Sequence, residues 1–351
     1  MPIFLDLHQA GDYEAMPTVD EIKKNHIADL ATQKKYGVRF IQYWINENDG
    51  MVFCMMEAPD KEACAAVHRE AHGGMPCNII EIKGADYESH MGQEVKPNEF
   101  DIVENPDGTF DNGSRVFLAI EVLIASDIPA ALQVISEAIP KYNGRETNHL
   151  SDRLVAAFNS GRNAIKCATH ILNKINRDGN REVYIGVGAG QPLSMNDTFF
   201  GRALKATHRL CDVSPNGKIM ASAVVKNVSG GAFQNVEDVT TITEQEEKFL
   251  NQFLDLLEGS MGQPDFNIDT ICKTIGISRA QLYRKVKALT AMSPNSFLKE
   301  LRLRKAMRLI KQQYGNVAEI GYETGFSNPS YFSSLFQQRF GILPSQFRRM
   351  K

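Results

Sequence analysis

The sequence predicts an α+β chain in which two α/β-sandwich domains precede an all-α domain with two helix-turn-helix units. Two observations predict this class. Strand and helix signals alternate over residues 1–83 and again over residues 114–240, whereas from residue 241 to residue 351 apolar residues recur only at helical spacing. A polar segment rich in turn formers, residues 84–113, separates the two alternating regions and is predicted to be a linker.

Residues 1–83 give the element order strand, helix, strand, strand, helix, strand. The strands are PIFLDLH, VRFIQYWI, MVFCMME and CNIIEIK, and the helices are TVDEIKKNHIADLATQKKYG and DKEACAAVHREAH. Asp49-Gly50 supplies the positive φ that a hairpin turn between the middle strands needs. The order βαββαβ is ferredoxin-like. Helices cover only one face of so small a sheet, so we expect the other face to be open and to favour a homodimer.

Residues 114–240 repeat the alternation and predict a second ferredoxin-like sandwich. The elements are strand RVFLAIEVLIA, helix IPAALQVISEAI, a hairpin around NHLSDRLVAAF, helix GRNAIKCATHILNKI, strand REVYIGVGAG, helix TFFGRALKATHRLCD and strand KIMASAVV. A nucleotide-binding loop is one interpretation of the glycines in GVGAGQPL. However, no helix opens directly after them and the Lys-Ser or Lys-Thr ending is absent. We interpret them as a strand that runs into a turn.

Residues 241–351 contain two helix-turn-helix units joined by a long helix. In the first unit, NIDTICKTIG ends at Gly276, and Ser278 begins SRAQLYRKVKAL at capping-box spacing. A Ser-Pro pair opens the connecting helix SFLKELRLRKAMRLIKQ. In the second unit, NVAEIGYETGF precedes SNPSYFSSLFQQRFG, where Asn328 caps the helix and Pro329 takes the first helical position.

The composition is that of a globular protein, with 43% apolar and 23% charged residues. No apolar run approaches the roughly 20 residues that a membrane span needs, and MPIFLDLHQA lacks the basic and then apolar plan of a signal peptide. The cysteines form no CxxC pair, so we expect reduced thiols in a cytoplasmic protein. They are Cys54, Cys64, Cys77, Cys167, Cys211 and Cys272.

Charge is divided unevenly along the chain. The net charge is −3, yet residues 246–351 carry 16 Lys and Arg against 9 Asp and Glu. A basic segment on an acidic body predicts that this end binds a polyanion. ISRAQLYRKVKALTAMSPNSFLKELRL and VAEIGYETGFSNPSYFSSLFQQRFGILPSQFR resemble the AraC family of transcription regulators, with Ala291 where glycine is common. The resemblance implies binding to double-stranded DNA; the alternative is a helical module that binds only protein.

We expect the second helix of each unit to lie in a major groove and to read bases with its exposed face. The first of these helices is expected to pack on its core through Leu282, Val286 and Leu289, and the second through Phe332 and Phe336. The opposite faces, with the helix starts, give the predicted DNA-binding residues: Arg279, Ala280, Tyr283, Arg284, Lys287, Asn328, Ser330, Ser334 and Gln337.

The middle segment resembles the class III nucleotide cyclase fold. The resemblance rests on FLAIEVLI, NHLSDRLVAAFNSGRNAIKCA, IGVGAG and FFGRALKATHRLCDVSPNGKIMAS. Cyclase chemistry needs two carboxylates for two metal ions, with an Asn and an Arg on one helix. Asp152 and Arg209 match, but Glu121 is one place off the first carboxylate and Lys205 replaces the Asn. We therefore predict no catalytic residue and interpret the segment as a degenerate module for ligand binding or dimerisation.

The N-terminal segment contains a histidine pair in HREAHGG. His68 and His72 are four residues apart and leave the same face of a helix, but Arg69 stands where a zinc protease has its Glu. FLDLH, NHIADL, YW, GMVFCMMEAPDKEA and VHREAHG resemble a small nickel-binding, nickel-responsive ferredoxin-like family. The resemblance singles out His8, His26, His68 and His72 as metal ligands.

The ligand type leaves the metal open, because imidazole binds nickel, zinc, copper and iron alike. We expect nickel or another divalent transition metal. His8 shares a face of its strand with Phe4 and Asp6, which we interpret as the open face of the sheet, and Cys54 is a further candidate ligand. The alternative is that these are surface or helix-capping histidines. No motif places an acid, base or nucleophile beside them, so catalysis is not predicted.

These observations together predict a dimeric transcription regulator that is not an enzyme. Its domains are a sensor (1–83), a linker (84–113), a cyclase-like module (114–240) and a DNA-binding domain (241–351). A metal or a small molecule is the expected effector, and residues that bind any other cofactor are unknown. Two alternatives stay open: an active nucleotide cyclase fused to a DNA-binding domain, and a regulator that senses redox state through its thiols.

Overall fold

The computed structural model describes residues 1–9, 17–92, 97–105, 107–123, 128–147, 153–175, 182–228, 237–263 and 266–349. Within these ranges two sheets with helices precede an all-helical segment, which confirms the predicted fold class. None of the helices in these ranges is long and apolar enough to cross a membrane.

The N-terminal sheet has the strand order β2-β3-β1-β4, which is the ferredoxin-like order. Thr18 and Glu21 form a capping box at the start of the first helix, and a 3₁₀ turn after it ends at Gly37, whose φ is 66°. The elements are β1 (Ile3–Gln9), α1 (Val19–Thr32), β2 (Arg39–Asn46), β3 (Met51–Glu57), α2 (Lys61–Ala71) and β4 (Asn78–Ile82). The βαββαβ prediction is confirmed.

The segment predicted as a linker has structure of its own. It contains α3 (Gly84–Met91), and Ile102 forms an isolated bridge with Tyr43 of β2. Ile102 and Val103 are fully buried, so this stretch lies along the edge of the first sheet and packs into it.

The middle domain has a six-stranded sheet of order β10-β9-β8-β5-β7-β6. Val116, Leu118 and Ile120 on one face of β5 share a core with two helices, α4 and α5. The elements are β5 (Arg115–Leu123), α4 (Ile128–Lys141), β6 (Gly144–Glu146), β7 (Leu154–Phe158), α5 (Gly161–Ile175), β8 (Glu182–Gly190), α6 (Gly201–Val213), β9 (Lys218–Ala221), α7 (Ala223–Val228) and β10 (Val239–Thr241).

The glycines of GVGAG belong to strand β8 and not to a loop. A Cβ on Gly186 would collide with the backbone of Cys211, and one on Gly188 would collide with Thr207. A Cβ on Gly190 would lie 2.9 Å from the Cβ of Ala203. Since these partners all lie on α6, the glycines let that helix pack directly on the strand backbone.

The C-terminal domain has the two predicted units. Ser278 and Asn328 cap the second helix of each unit, and Ala291 ends the first of these helices with a φ of 61°, in the left-handed region. The elements are α8 (Glu244–Ser260), α9 (Ile268–Ile275), α10 (Arg279–Thr290), α11 (Pro294–Lys311), α12 (Val317–Glu323), α13 (Pro329–Phe340) and α14 (Pro344–Phe347).

The face of β1 that carries Phe4, Asp6 and His8 lies under α1 and α2, so its interpretation as the open face is wrong. Strand alternation shows which residues share a face but not which face the helices cover. The other face is not open either. There Leu5 and Leu7 share a core with side chains of the middle domain, so in this structure that face is not free for the predicted homodimer contact.

Candidate metal centre and nucleic-acid interface

Three of the four predicted histidines meet between β1, α1 and α2, together with two aspartates. The His68 ring lies at the centre: its Nε2 is 2.8 Å from Asp6 Oδ2 and its Nδ1 is 3.1 Å from Asp29 Oδ1. His72 Nε2 is 3.2 Å from the same Asp29 oxygen. The His8 ring lies edge-on to His68, with ring centroids 4.7 Å apart. The secondary structure explains the arrangement, because alternate residues of β1 point into the same space as His68 on α2 and His72 at the C-cap of that helix.

These residues form two overlapping groups of metal-binding type. One is Asp6, His8 and His68, and the other is Asp29, His68 and His72; within each group, one ligand atom per residue lies within 4.8 Å of the others. A cavity of about 50 Å³ adjoins them. Asp6 and Asp29 were not among the predicted site residues, although Asp6 shares a strand face with His8.

His26 lines the same cavity but belongs to neither group. Its Nε2 lies 3.0 Å from Asp101 Oδ2 in the segment after α3, and its ring packs against Tyr43 with centroids 4.6 Å apart. The structure therefore places His26 at the rim of the cluster, held by a different carboxylate.

Burial and charge oppose each other at His68. Burial alone lowers the pKa of the imidazole, but the carboxylates of Asp6 and Asp29 outweigh this effect and raise the pKa to about 10. At Asp6, burial raises the pKa, but His68 and His8 reverse the direction and hold it below its usual range. Burial likewise raises the pKa of the Cys54 thiol well above its usual value, so Cys54 is a poor source of a thiolate.

The donor set fits a divalent transition metal. His8 Nε2 is buried and has no hydrogen-bond partner among the described residues, although it points toward Asp6 at 3.6 Å. Three imidazoles with two carboxylates supply the nitrogen and oxygen donors that nickel, zinc and copper accept. The carboxylates of Asp6 and Asp29 also form ion pairs with the His68 ring and so fix its orientation.

The predicted DNA-binding residues lie on the exposed faces of α10 and α13 or at their starts. Arg279 pairs with Asp269 of α9, and Lys287 Nζ lies 3.4 Å from the Tyr283 hydroxyl. Asn328 Oδ1 accepts hydrogen bonds from the backbone of the next turn, so this oxygen serves the helix cap. Tyr331, which is not among the predicted residues, is 57% exposed on α13 beside them.

The cyclase-type positions of the middle domain have other partners. Asp152 lies outside the described residues. Glu121 is buried among arginines, and Arg209 Nη1 donates to Asn251 Oδ1 of α8 at 2.9 Å. Lys205 Nζ lies 2.8 Å from Asp255 Oδ1, also on α8. The two α6 side chains therefore contact the C-terminal domain.

Two families match the ends of the chain. Residues 271–350 match the family described as Helix-turn-helix domain, and residues 4–82 match the family described as Nickel responsive protein SCO4226-like. The HTH-type transcriptional activator RhaS of Escherichia coli is 33% identical over 100 residues, which are 28% of this chain and 36% of that protein. The chain spans between 9% and 50% of the length of the first curated relatives that it matches.

Two solved structures resemble parts of the chain. SCO4226 from Streptomyces coelicolor is 34% identical over 23% of this chain and 94% of its own, with a TM-score of 0.21. An adenylate/guanylate cyclase/hydrolase from Silicibacter pomeroyi is 22% identical over 33% of this chain and 79% of its own, with a TM-score of 0.28. The cyclase-like character of the middle domain stays a prediction.

Proposed function

We infer the function of this chain from the two families that its ends match. Residues 271–350 match the helix-turn-helix family and are similar to AraC-type regulators, and residues 4–82 match the SCO4226-like, nickel-responsive family. We propose that the whole chain is a regulator of transcription and not an enzyme. In this proposal the chain binds double-stranded DNA in response to a divalent transition metal, and nickel is the first candidate.

The observation that carries the DNA-binding proposal is the exposure of both second helices. Tyr283 and Arg284 on α10, and Ser330 and Ser334 on α13, face away from their cores. Arg284 can bond to a guanine edge with two N–H groups. We expect Arg284→Ala to weaken binding to the DNA sequence that the native protein selects by about 1–3 kcal/mol. The variant should also lose base preference at one position of that sequence.

The metal proposal rests on the cluster of Asp6, His8, Asp29, His68 and His72. For a metal to regulate DNA binding, it must have a different affinity for the DNA-binding state and for the other state of the protein. The test is selection from random DNA by the full chain with nickel, zinc, copper or a chelator, followed by calorimetric titration of the same protein with each metal.

The control variants separate ligands from bystanders. The double variant His68→Ala/His72→Ala should lose metal binding, whereas His170→Ala, on α5 of the middle domain, should bind metal as the native protein does. Equal metal binding by the double variant would contradict the metal proposal. Selection of no DNA sequence under any condition would contradict the DNA-binding proposal.

The described residues give less support to the two alternatives. Arg209 and Glu121 are engaged by partners of the C-terminal domain, which disfavours a cyclase site. Burial raises the pKa of Cys64 and Cys167 to about 12, which disfavours these two thiols as redox-sensing thiolates. A cleft of about 500 Å³ between α6 and α8 offers room for a small-molecule effector. A homodimer stays a prediction.

A further inference from the structure

The middle domain holds the C-terminal domain through a buried set of ion pairs. Glu121 of β5 pairs with Arg304 of α11 and lies 3.3 Å from Arg308 Nη1 of the same helix. Arg153, which precedes β7, lies 3.1 Å from the Glu121 carboxylate and pairs with Asp212 of α6. Arg304 Nη1 also donates to the backbone oxygen of Asp212 at 3.1 Å. The connecting helix α11 is thus bound to both a strand and a helix of the middle domain.

A second set of contacts continues this surface to α13. Arg339 donates to both carboxylate oxygens of Glu182 on β8, at 2.9 and 2.6 Å, and to both of Glu300 on α11, at 2.7 and 2.8 Å. The Arg304 guanidinium lies over the Tyr184 ring at 4.2 Å and joins the two sets. Four arginines therefore face four carboxylates: Arg153, Arg304, Arg308 and Arg339 against Glu121, Glu182, Asp212 and Glu300.

Helix α6 also contacts α8, the helix that packs against the first helix-turn-helix unit. Three residues before Asp212, Arg209 donates to Asn251 Oδ1 at 2.9 Å and to Glu258 Oε2 at 3.1 Å, both on α8. Helix α8 shares its core with the first unit, where Phe253 packs in one cluster with Leu282 of α10. Helix α6 therefore contacts both α8, which packs beside the first unit, and α11, whose second half packs in the core of the second unit.

Buried ion pairs contribute little net stability, but breaking one partner is costly because it leaves an uncompensated charge. A contact of this kind favours one geometry over its neighbours. We propose that α6 acts as a brace that fixes the relative position of the two helix-turn-helix units and thereby restricts the protein to operators with one spacing between the two recognition elements. The inference rests on the DNA-binding part of the proposed function.

The competing explanation is that α11 sets the spacing without help. Its first half, with Leu298 and Leu301, packs in the core of α8 and the first unit, and its second half, with Met307 and Ile310, packs in the core of the second unit. A continuous helix between two cores is itself a spacer. The two explanations differ in what happens when the ion pairs are weakened and α11 is left intact.

The experiment uses the full chain, its selected operator, and the same operator with one base pair inserted between the two elements. An inserted base pair rotates one element by about a tenth of a turn. For the native protein, we expect the insertion to weaken binding roughly tenfold, similar to a base mismatch. For Asp212→Asn, we expect the penalty to fall below roughly threefold, since the second unit can then follow the displaced element.

The matched control is Asp238→Asn, because Asp238 pairs with Lys218 at 2.8 Å on the surface of the same domain. It should keep the native penalty. Arg308→Gln repeats the test on α11, where the guanidinium is partly exposed. Circular dichroism checks that Asp212→Asn and Arg308→Gln fold. The native insertion penalty in the folded variants would overturn the brace and leave α11 as the spacer. Failure of the native protein to bind DNA would overturn the proposed function itself.

Discussion

The histidine at the centre of the N-terminal cluster makes the stability of the metal-free protein depend on pH in an unusual range. The pKa of His68 is raised to about 10 by Asp6 and Asp29, against burial, and the ordinary value is 6.5. The folded state therefore binds the proton more tightly than the unfolded state. The resulting stabilisation is fully present below pH 6.5 and is lost as the pH rises through 10.

The magnitude follows from the size of the shift. Each pH unit between the two pKa values corresponds to about 1.4 kcal/mol, so raising the pH from 6.5 to 9.5 should remove up to about 4 kcal/mol of stability contributed by His68. Urea unfolding of the native chain and of His68→Gln, both in chelator, measures this at a series of pH values. The advantage of the native chain over the variant should shrink by that amount across the range.

A second measurement addresses the proton directly. The His68 ring resonances in an NMR titration of the native protein should move with a midpoint near pH 10, and in Asp6→Asn the midpoint should be lower because one carboxylate no longer carries charge. A midpoint near 6.5 in the native protein, or a stability difference that is constant with pH, would refute the assignment of His68 as an imidazolium between two carboxylates.

Three further predictions concern stability and are measured by urea unfolding. Gly186→Ala should cost about 1–3 kcal/mol or more because its Cβ meets the backbone of Cys211, whereas Gly259→Ala, with open space in helix α8, should be neutral or stabilising. Ala291→Gly should stabilise the first unit by roughly 1 kcal/mol, since Ala291 has a φ of 61°. Asn328→Ala should lower the free energy of unfolding by about 1 kcal/mol through loss of the α13 cap. An unchanged free energy of unfolding in Gly186→Ala or Asn328→Ala would contradict the contact assigned to that residue.

Local patterns in the sequence were sufficient for the elements but not for their packing. Alternation and capping residues predicted the βαββαβ order and the two helix-turn-helix units, because strand period and helix caps depend on nearby residues. The face of β1 that carries Asp6 and His8 was misassigned, since the helices that cover a sheet are placed by the whole fold. For the same reason the histidine pair was recognised, while Asp6 and Asp29 were not identified as its companions.

The long-range ion pairs could not be predicted from the sequence. Arg308 and Glu121 are 187 residues apart, and no local pattern connects them. Comparison with a cyclase drew attention to Glu121, Lys205 and Arg209, but as remains of an active site. The structure assigns all three to contacts with the C-terminal domain.

The glycine strand beneath α6 limits the ways in which that helix can move. Ala203, Thr207 and Cys211 lie against bare backbone at Gly190, Gly188 and Gly186. Rotation of α6 about its axis would drive larger side chains into a strand that has no room for them, so the helix keeps only small rigid translations and tilts. Because α6 contacts α8 through Arg209 and α11 through Asp212, a displacement of this helix would act on both of those helices together.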